Sequence, residues 1–302
     1  MTTVDVRSKQ TWHRPLLTLT AATIVLAVVA ALGILLDPRI VTGVPAWLKP
    51  FKFAVSFAIY AFTLAWLLSV LPRRSRLGEW AGTAIVGIAV AELGIIVVQA
   101  ARGRPSHFND STPFDETLWQ AMGLSIMVLF VAHIVIGAVA LRQRIGDRAT
   151  TYAIRLGLGL SLLGMLAAVP MVTPMQDPGV DGITGAHSVG VPDGGPGLPL
   201  TGWSTTGGDL RIGHFIGLHG LQALPLLAFL LSRYGRGLDV TTRARLVLIA
   251  GIAYGALVAL VTWQALRAQP LLSPDLLTLT AGAALLTGTA IATVIVLGRR
   301  SA

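Results

Sequence analysis

The sequence of 302 residues contains no cysteine, and this absence excludes several kinds of chemistry at once. Without cysteine the chain forms no disulfide, ligates no iron–sulfur cluster and attaches no c-type haem. Charged residues are also scarce, at 12% against about 25% in ordinary soluble domains. A chain with so little charged surface and 54% hydrophobic residues is expected in a lipid bilayer rather than in water.

Long apolar runs are what the sequence does contain, and each has about the 20 residues that a helix needs to cross a bilayer. The runs do not alternate between apolar and polar residues, as the strands of a membrane β-barrel would. We therefore predict an all-α bundle of about eight spanning helices, forming a single transmembrane domain over residues 1–302. The predicted spans are Leu16–Leu36, Phe53–Leu71, Ala81–Ala101, Leu118–Leu141, Tyr152–Val172, Ile212–Leu231, Leu246–Leu266 and Leu276–Leu297.

The charge of the chain indicates its orientation. It has 23 Lys and Arg against 14 Asp and Glu, a formal net charge of +9. Most of the basic residues fall in alternate connections, the pattern of the positive-inside rule. We therefore expect cytoplasmic N- and C-termini, a multi-pass protein of the plasma (inner) membrane, and the lipid bilayer, not a nucleic acid, as the partner. The first run is longer than a signal-peptide core and is expected to be retained.

Two connections on the predicted outer side differ from the short, arginine-rich inner ones. Residues 102–117 read RGRPSHFNDSTPFDET, and residues 174–211 are rich in Gly, Pro and Asp. Loops longer than about 12–15 residues are usually functional or disordered. Trp203, Leu198 and Leu200 in the second loop favour a packed outer lid over a mobile linker, so we place the candidate site on this face.

The segment RIGHFIGLHGLQALP carries the densest polar group of any predicted span: Arg211, His214, His219 and Gln222. Placing an ionisable residue inside a membrane costs free energy, so each such residue is a candidate for a functional role. At 1.5 Å per residue, His219 lies roughly 12 Å below the outer boundary, and Glu92 roughly 13 Å. Glu92 and His219 are therefore predicted to pair, as a catalytic or proton-relay couple or as part of a metal ligand set.

His133 lies roughly 10 Å deeper than His219 on the same rise per residue. Two axial ligands of one haem need similar depths, so a haem held by His133 and His219 is disfavoured. We expect His133 to make an interhelical hydrogen bond instead.

A metal site is predicted nearer the outer surface. His214 and His219 are five residues apart, about 140° around a helix, and do not clamp one ion together. His107 from the SHFN loop and His187 from the long loop are better partners for His214. Such ligands suit a transition metal, or a haem b if His219 or His133 takes part. Aspartates that could add oxygen ligands are Asp110, Asp193 and Asp209.

A second constellation is LKPFKF, in which Lys49 and Lys52 open the second span beside Pro50. A helix N-terminus already favours anions, and the two lysines strengthen that preference. We predict a cationic mouth that binds a carboxylate, a phosphate or a quinone head-group; the alternative is that these side chains snorkel to lipid head-groups. The other predicted members are Arg102, Arg104, Arg211, Arg267, Gln99, Gln222 and Gln264.

The segments KPFKF, RGRPSHFN, PDGGPGLPL, WSTTGGDLR and GHFIGLHGLQALP together resemble a group of uncharacterised bacterial polytopic membrane proteins. The resemblance runs from Lys49 to Pro225 and brings no activity with it.

Three functions remain open. The first is a membrane redox enzyme with a haem or metal near the outer face. The second is a proton-coupled transporter of a small anionic solute, and the third is an assembly or partner-binding component of the membrane. The sequence contains more residues typical of redox sites than features typical of transporters. No known ligand spacing is met, so it favours the redox enzyme only by a small margin.

Overall fold

The computed structural model describes residues 12–173 and 182–299, most of which are helical. Eight of its helical stretches are long and apolar enough to cross a membrane, which confirms the predicted all-α fold class. The helices are α1 Arg14–Leu36, α2 Leu48–Val70, α3 Arg76–Arg102, α4 Pro113–Leu141, α5 Arg148–Leu166, α6 Val169–Val172, α7 Arg211–Tyr234, α8 Val240–Leu266 and α9 Leu276–Gly298. The short α6 continues the span of α5 beyond a break beside Pro170.

Several helices begin earlier than their apolar runs, at residues that a polar side chain caps. α8, for example, begins at Val240, six residues before its predicted span, where the Asp239 carboxylate accepts the Thr242 amide at 3.0 Å. Such a side chain satisfies one of the amides that an α-helix leaves free at its start. The other residues that cap a helix in this way are His13, Ser75, Thr112, Asp147 and Asp275.

Glycines let α5 and α7 cross at close range. A Cβ built on Gly164 of α5 would lie 2.4 Å from the backbone nitrogen of Leu218, and one on Gly157 would lie 3.0 Å from the carbonyl oxygen of Gly220. Small residues are what bring membrane helices into such contact. By contrast, α9 packs against α8 and buries only Thr278 of its own length, as expected of a helix that faces lipid.

The two ends of the bundle are built differently. At one end the helices are joined by the short segments 71–75, 142–147 and 235–239, which we call the arginine end. At the other end lie residues 37–47, 103–112, 182–210 and 267–275, which we call the cap. The cap contains two small antiparallel pairs, β1 Ile40–Val41 with β2 Val44–Pro45, and β3 Ser188–Val189 with β4 Gly208–Asp209.

The cap segments interlock into one layer. Asn109 bridges to Ile183, and the Thr184 amide donates to the Phe108 carbonyl at 2.8 Å. Gly43 lies so close to Gly194 that a Cβ on it would meet the Gly194 carbonyl oxygen at 2.2 Å. The prediction that the long outer loop packs as a lid therefore holds for residues 182–210. Residues 174–181 of that loop lie outside the described part of the chain.

Candidate functional site

The candidate site lies under the cap, where α2 and α7 begin. Lys49 and Lys52 stand in the first turns of α2, and Lys52 Nζ donates to the Thr201 carbonyl oxygen of the long loop at 2.8 Å. Arg211 opens α7. Its guanidinium donates to both carboxylate oxygens of Asp209, with Nε at 2.9 Å from Oδ1 and Nη2 at 2.5 Å from Oδ2. Because Asp209 is fully buried, its charge neutralises Arg211 locally.

Lys49 differs from these two cations. In the part of the chain that the structure describes, no carboxylate lies within 4.0 Å of its ammonium, and no acceptor hydrogen-bonds to it. The residue is half-buried, so water compensates its charge only in part. Among the described residues, Lys49 is therefore the cation of the site that has no partner.

His107 stands in a frame of aromatic rings. Its ring centroid lies 5.5 Å from that of Phe53, 5.8 Å from Trp119 and 6.1 Å from Phe108. Burial lowers the pKa of His107 well below its ordinary value, and the nearby charges of Lys49, His187 and His214 lower it further. His107 is therefore a neutral imidazole at physiological pH. The fold gathers Lys49, His187 and His214 around it.

His187 is held by a carboxylate. Its Nδ1 lies 2.6 Å from Asp193 Oδ2, and the amides of His187 and Ser188 donate to the same carboxylate. These hydrogen bonds keep the pKa of Asp193 below its ordinary value, although burial opposes them. Burial also lowers the pKa of His187 to about 4, with Lys49 and Arg211 acting in the same direction and Asp193 against it. We conclude that Asp193 is ionised and His187 is neutral near pH 7.

His214 bridges the crossing of α5 and α7. Its Nδ1 lies 2.8 Å from the carbonyl oxygen of Gly164 on α5. A carbonyl only accepts, so Nδ1 carries the proton. The histidine has no acidic partner among the described residues, and a charged imidazole at this position would be costly to bury. We call Lys49, His107, His187 and His214 the histidine–lysine site.

The predicted metal site is only partly assembled. The fold does bring His107 near both His187 and His214. However, no three His, Asp or Glu side chains among residues 12–173 and 182–299 form a group that could hold a metal ion. Asp193 and Asp209 are engaged by His187 and Arg211 instead. A metal on these histidines therefore stays a prediction.

His133 behaves as predicted. Its Nδ1 lies 2.8 Å from Tyr60 Oη on α2, and its Nε2 lies 3.4 Å from the Leu158 carbonyl oxygen on α5. Since Nε2 must donate to the carbonyl, Nδ1 accepts from the tyrosine. Both nitrogens are used between helices, which confirms the expected interhelical hydrogen bond. The alternative, His133 as a haem ligand, stays a prediction.

The predicted pairing of Glu92 with His219 is not what the structure shows. Glu92 is buried on α3 and accepts a hydrogen bond from Ser125 Oγ on α4. His219 Nδ1 lies 3.3 Å from Gln222 Oε1, and Gln222 Nε2 donates to Thr63 Oγ1 at 3.1 Å. Within the described residues no hydrogen bond or ion pair joins Glu92 to His219. Counting residues along each helix placed both correctly inside the bundle, but depth does not tell which helices are neighbours.

The predicted cationic mouth divides into separate groups. Arg102 pairs with the buried Asp115 at 2.5 Å and donates to Gln99, and Gln99 also donates to Asp115. Arg267 pairs with Asp275 at 2.6 Å in an exposed position. Arg104 is exposed, with no side-chain partner in the described chain. Gln264 donates to the carbonyl of Pro270 and so holds a cap segment. Of the predicted mouth residues that the structure describes, only Lys49, Lys52 and Arg211 surround the histidines.

Several residues of the site are not recognisable in the sequence. Phe53, Phe108 and Trp119 form the ring frame, although the place of Trp119 near a predicted helix end is typical of an interfacial anchor. The carbonyls of Gly164 and Thr201 bind His214 and Lys52. Backbone acceptors carry no sequence signal, whereas a phenylalanine directly after His107 could have suggested the frame.

Comparisons with protein-family models, with curated proteins and with solved structures found no match for this chain. The resemblance drawn from its motifs therefore stays a prediction, and function is inferred from the site alone.

Proposed function

We propose that this multi-pass membrane protein binds a small anionic molecule at the histidine–lysine site. The observation that carries the proposal is Lys49, a half-buried ammonium without a partner among the described residues. A partly desolvated cation is costly until an anion compensates it. The neutral histidines around it add no competing negative charge.

The surroundings of Lys49 support the same proposal. Lys52 stands one turn further along α2, and the N-terminus of α2 itself carries the positive end of a helix dipole. Asp209 is paired with Arg211, and Asp193, which keeps its charge beside the neutral His187, attracts Lys49 only from beyond 4.0 Å. These features favour an anion over a metal cation, which Lys49 would repel.

We further propose that the protein carries this anion across the membrane together with a proton. Glu92 is the proton-carrying group in this scheme, because it is buried inside the bundle and has no cationic partner in the described chain. An ionisable residue in such a position is the usual mark of an ion or proton pathway. His219 lies on α7 below the histidine–lysine site and is the second candidate.

The binding proposal is tested by calorimetric titration of the detergent-purified protein with acetate, lactate, phosphate, sulfate and chloride. At least one anion should bind, and Lys49→Gln should weaken that binding tenfold or more. Arg104→Gln is the matched control, since it removes an exposed cap cation outside the site. No binding by any anion, or equal binding by Lys49→Gln and the wild type, would overturn the proposal.

The transport proposal is tested in proteoliposomes that contain a pH-sensitive dye. Addition of the bound anion should acidify or alkalinise the lumen, and Glu92→Gln should abolish that signal. Glu116→Gln is the control, because Glu116 is an exposed residue on α4 whose carboxylate hydrogen-bonds only to Gln120 among the described residues. Unchanged proton flux in Glu92→Gln would remove the assigned role.

We propose that the cap faces the outside of the plasma membrane and the arginine end faces the cytoplasm, as the positive-inside pattern predicts. The absence of cysteine makes a direct test simple. In whole cells a membrane-impermeant maleimide should label Arg104→Cys in the cap and spare Arg236→Cys at the arginine end. The reverse pattern would refute this orientation.

A redox enzyme with a haem or transition metal is the second candidate function. The observation in its favour is that Asp193 and the Gly164 carbonyl hold the Nδ1 atoms of His187 and His214, as outer partners of metal-ligating histidines do. An optical spectrum and elemental analysis of the purified protein decide the matter. A Soret band would implicate His107, His133, His214 and His219, and stoichiometric metal without colour would implicate His107, His187 and His214. Folded protein that is colourless and metal-free would eliminate this candidate.

A further inference from the structure

The hydrogen-bond partners of the histidine–lysine site restrict the anion that fits it. We propose that the ligand is a small hydroxycarboxylate, an organic anion that brings its own hydrogen-bond donor, rather than a fully deprotonated anion. The inference deepens the proposed function and rests on it. Its basis is that the site combines one donor unpaired among the described residues, Lys49, with imidazole nitrogens that can only accept.

The tautomer of His187 follows from its partner. The Asp193 carboxylate already accepts the amides of His187 and Ser188, which it does as an ionised group. An ionised carboxylate has no proton to donate, so His187 Nδ1 supplies the hydrogen of the 2.6 Å contact. Its Nε2 then carries no hydrogen and can only accept a hydrogen bond, and it has no partner among the described residues.

His214 has the same tautomer for an independent reason. The Gly164 carbonyl accepts from Nδ1, so Nε2 of this neutral ring also carries only a lone pair. No described residue donates to that nitrogen. His107 lies near both rings, but its partner Ser106 Oγ can donate or accept, so this contact does not fix its tautomer.

A ligand must satisfy both kinds of group. A carboxylate can accept from Lys49, while a hydroxyl on the same molecule can donate to one of the Nε2 atoms. Sulfate or a plain carboxylate would leave the imidazole acceptors unpaired and desolvated, which costs affinity. The rings of Phe53, Phe108 and Trp119 add apolar walls, and these favour an organic anion over inorganic phosphate.

The test uses pairs of carboxylates that differ by one hydroxyl: glycolate with acetate, lactate with propionate, and malate with succinate. Calorimetric titration at pH 7 should show at least one hydroxy acid binding tenfold or more tightly than its matched acid. Equal affinity within every pair would overturn the inference and leave the anion site standing. Binding of phosphate without any hydroxy acid would also overturn it. No binding at all would mean that the proposed function itself fails.

Asp193→Asn sharpens the test because it can reverse the tautomer. The amide oxygen of the substituted side chain would still accept the Ser188 amide, while its NH₂ would face His187 Nδ1 and donate to it. His187 Nε2 would then carry the proton and become a donor. The preference for the hydroxy acid should fall to about twofold or less, while the plain acid binds at least as well as before.

The readout in this variant is a ratio of two affinities, so a partly misfolded sample lowers both and leaves the ratio intact. Asp275→Asn is the control, because it changes a cap aspartate that pairs with Arg267 outside the site. Its preference should equal that of the wild type. Because Oδ2 of Asp193 also accepts the His187 amide, the imidazole ¹⁵N shifts of the variant are recorded to show that the tautomer has reversed. An unchanged preference in a variant with the reversed tautomer would show that His187 does not select the ligand.

Discussion

The cap and the arginine end both consist of segments that join helices, yet they are held together by different interactions. At the arginine end each helix is capped by a residue next to it in sequence, as Asp147 caps α5 and Asp239 caps α8. In the cap, residues far apart in sequence contact one another, as Asn109 does with Ile183 and Lys52 with Thr201. The arginine end also has distant contacts, such as the Arg73 amide with Gln143 Oε1 at 2.8 Å and Arg243 with Asp147 at 3.6 Å. Only the cap, among the described residues, adds two antiparallel strand pairs to such contacts.

Arginine shows the difference most clearly. Arg142, Arg144 and Arg236 at the arginine end are exposed, where their charge is the expected orientation signal and needs no partner. Arg211 beside the cap is held by the fully buried Asp209. The same residue type thus fits a topology signal at one end and forms a structural ion pair beside the candidate site at the other. Composition alone does not separate the two roles.

The largest expected effect comes from breaking the buried ion pair of the cap. Asp209→Asn should lower the free energy of unfolding by about 3–5 kcal/mol, because it leaves the Arg211 guanidinium without its anion. Chemical unfolding in detergent micelles measures the change. Asp275→Asn is the matched control, since the Arg267–Asp275 pair is solvent-exposed and asparagine still caps α9. Equal destabilisation by the two variants would contradict this view of the cap.

A smaller effect is expected at the helix crossing beneath the cap. Gly164→Ala should cost about 1–3 kcal/mol, because its Cβ would meet backbone atoms of Gly217 and Leu218 that cannot move aside. The change also displaces the carbonyl that holds His214. Gly159→Ala is the control on the same helix, where an added Cβ meets nothing within 4 Å. Thermal unfolding should separate the two variants, and identical midpoints would refute the tight crossing.

Acidification from pH 6.5 to 4 should loosen the cap around His187, while Asp147, which caps α5 at the arginine end, keeps its charge over this range because its pKa lies below its ordinary value. The pKa of folded His187 is about 4, below the ordinary value of 6.5, so protons bind the unfolded cap more tightly. This stability is complete above pH 6.5 and is lost as the pH falls towards 4. Asp193 acts in the same direction at lower pH, because its folded pKa is also depressed. Lys49, Arg211 and His107 face the same ring and do not change this sign.

Amide protection factors measure the acid effect. Protection at residues 187–189 should fall by up to about tenfold for each pH unit below 6.5, while protection in the first turn of α5 stays constant. Protection that is independent of pH in the cap would mean that His187 is protonated or exposed.

The smallest effect is expected at the arginine end. Asp147→Ala should cost about 1 kcal/mol, because the Thr150 amide loses its cap at 2.8 Å and the 3.6 Å ion pair of Asp147 with Arg243, which is also lost, contributes little. Asp147→Asn keeps a capping oxygen and should change stability by only a few tenths of that amount. Neither variant should alter anion binding, and any loss of binding would show that the two ends are coupled.

The spans were predictable because a bilayer imposes length and apolarity on each helix separately. All eight predicted runs lie within observed helices, apart from Leu71 at one end and the short break between α5 and α6. The helix starts were less predictable, since capping residues such as Ser75 and Asp239 stand outside the apolar runs. The role of His133 could also be anticipated, because its depth already disfavoured a shared haem with His219.

The candidate site was harder to predict because it depends on which helices are neighbours. We predicted from the sequence that the site contains His107, His187, His214, Lys49 and Lys52, and the structure brings these residues together. We also predicted that Arg102 and Arg267 belong to the site, but they form ion pairs with other carboxylates. The predicted pair of Glu92 and His219 is absent among the described residues, because the two side chains lie in separate hydrogen-bond networks. Depth along a helix can be counted in residues, but rotation and contact between helices cannot.

Hydropathy and charge act on each segment locally, so the sequence was sufficient to specify the apolar spans, the helical fold and the end of the bundle where polar side chains gather. Which charges are cancelled and which remain follows from tertiary contacts alone. The fold pairs Asp209 with Arg211, it holds the charged Asp193 by hydrogen bonds from His187 and Ser188, and it leaves Lys49 without a hydrogen bond or ion pair among the described residues. The reason is physical: the state of a partly buried charge depends on its partners, and these come from distant parts of the chain.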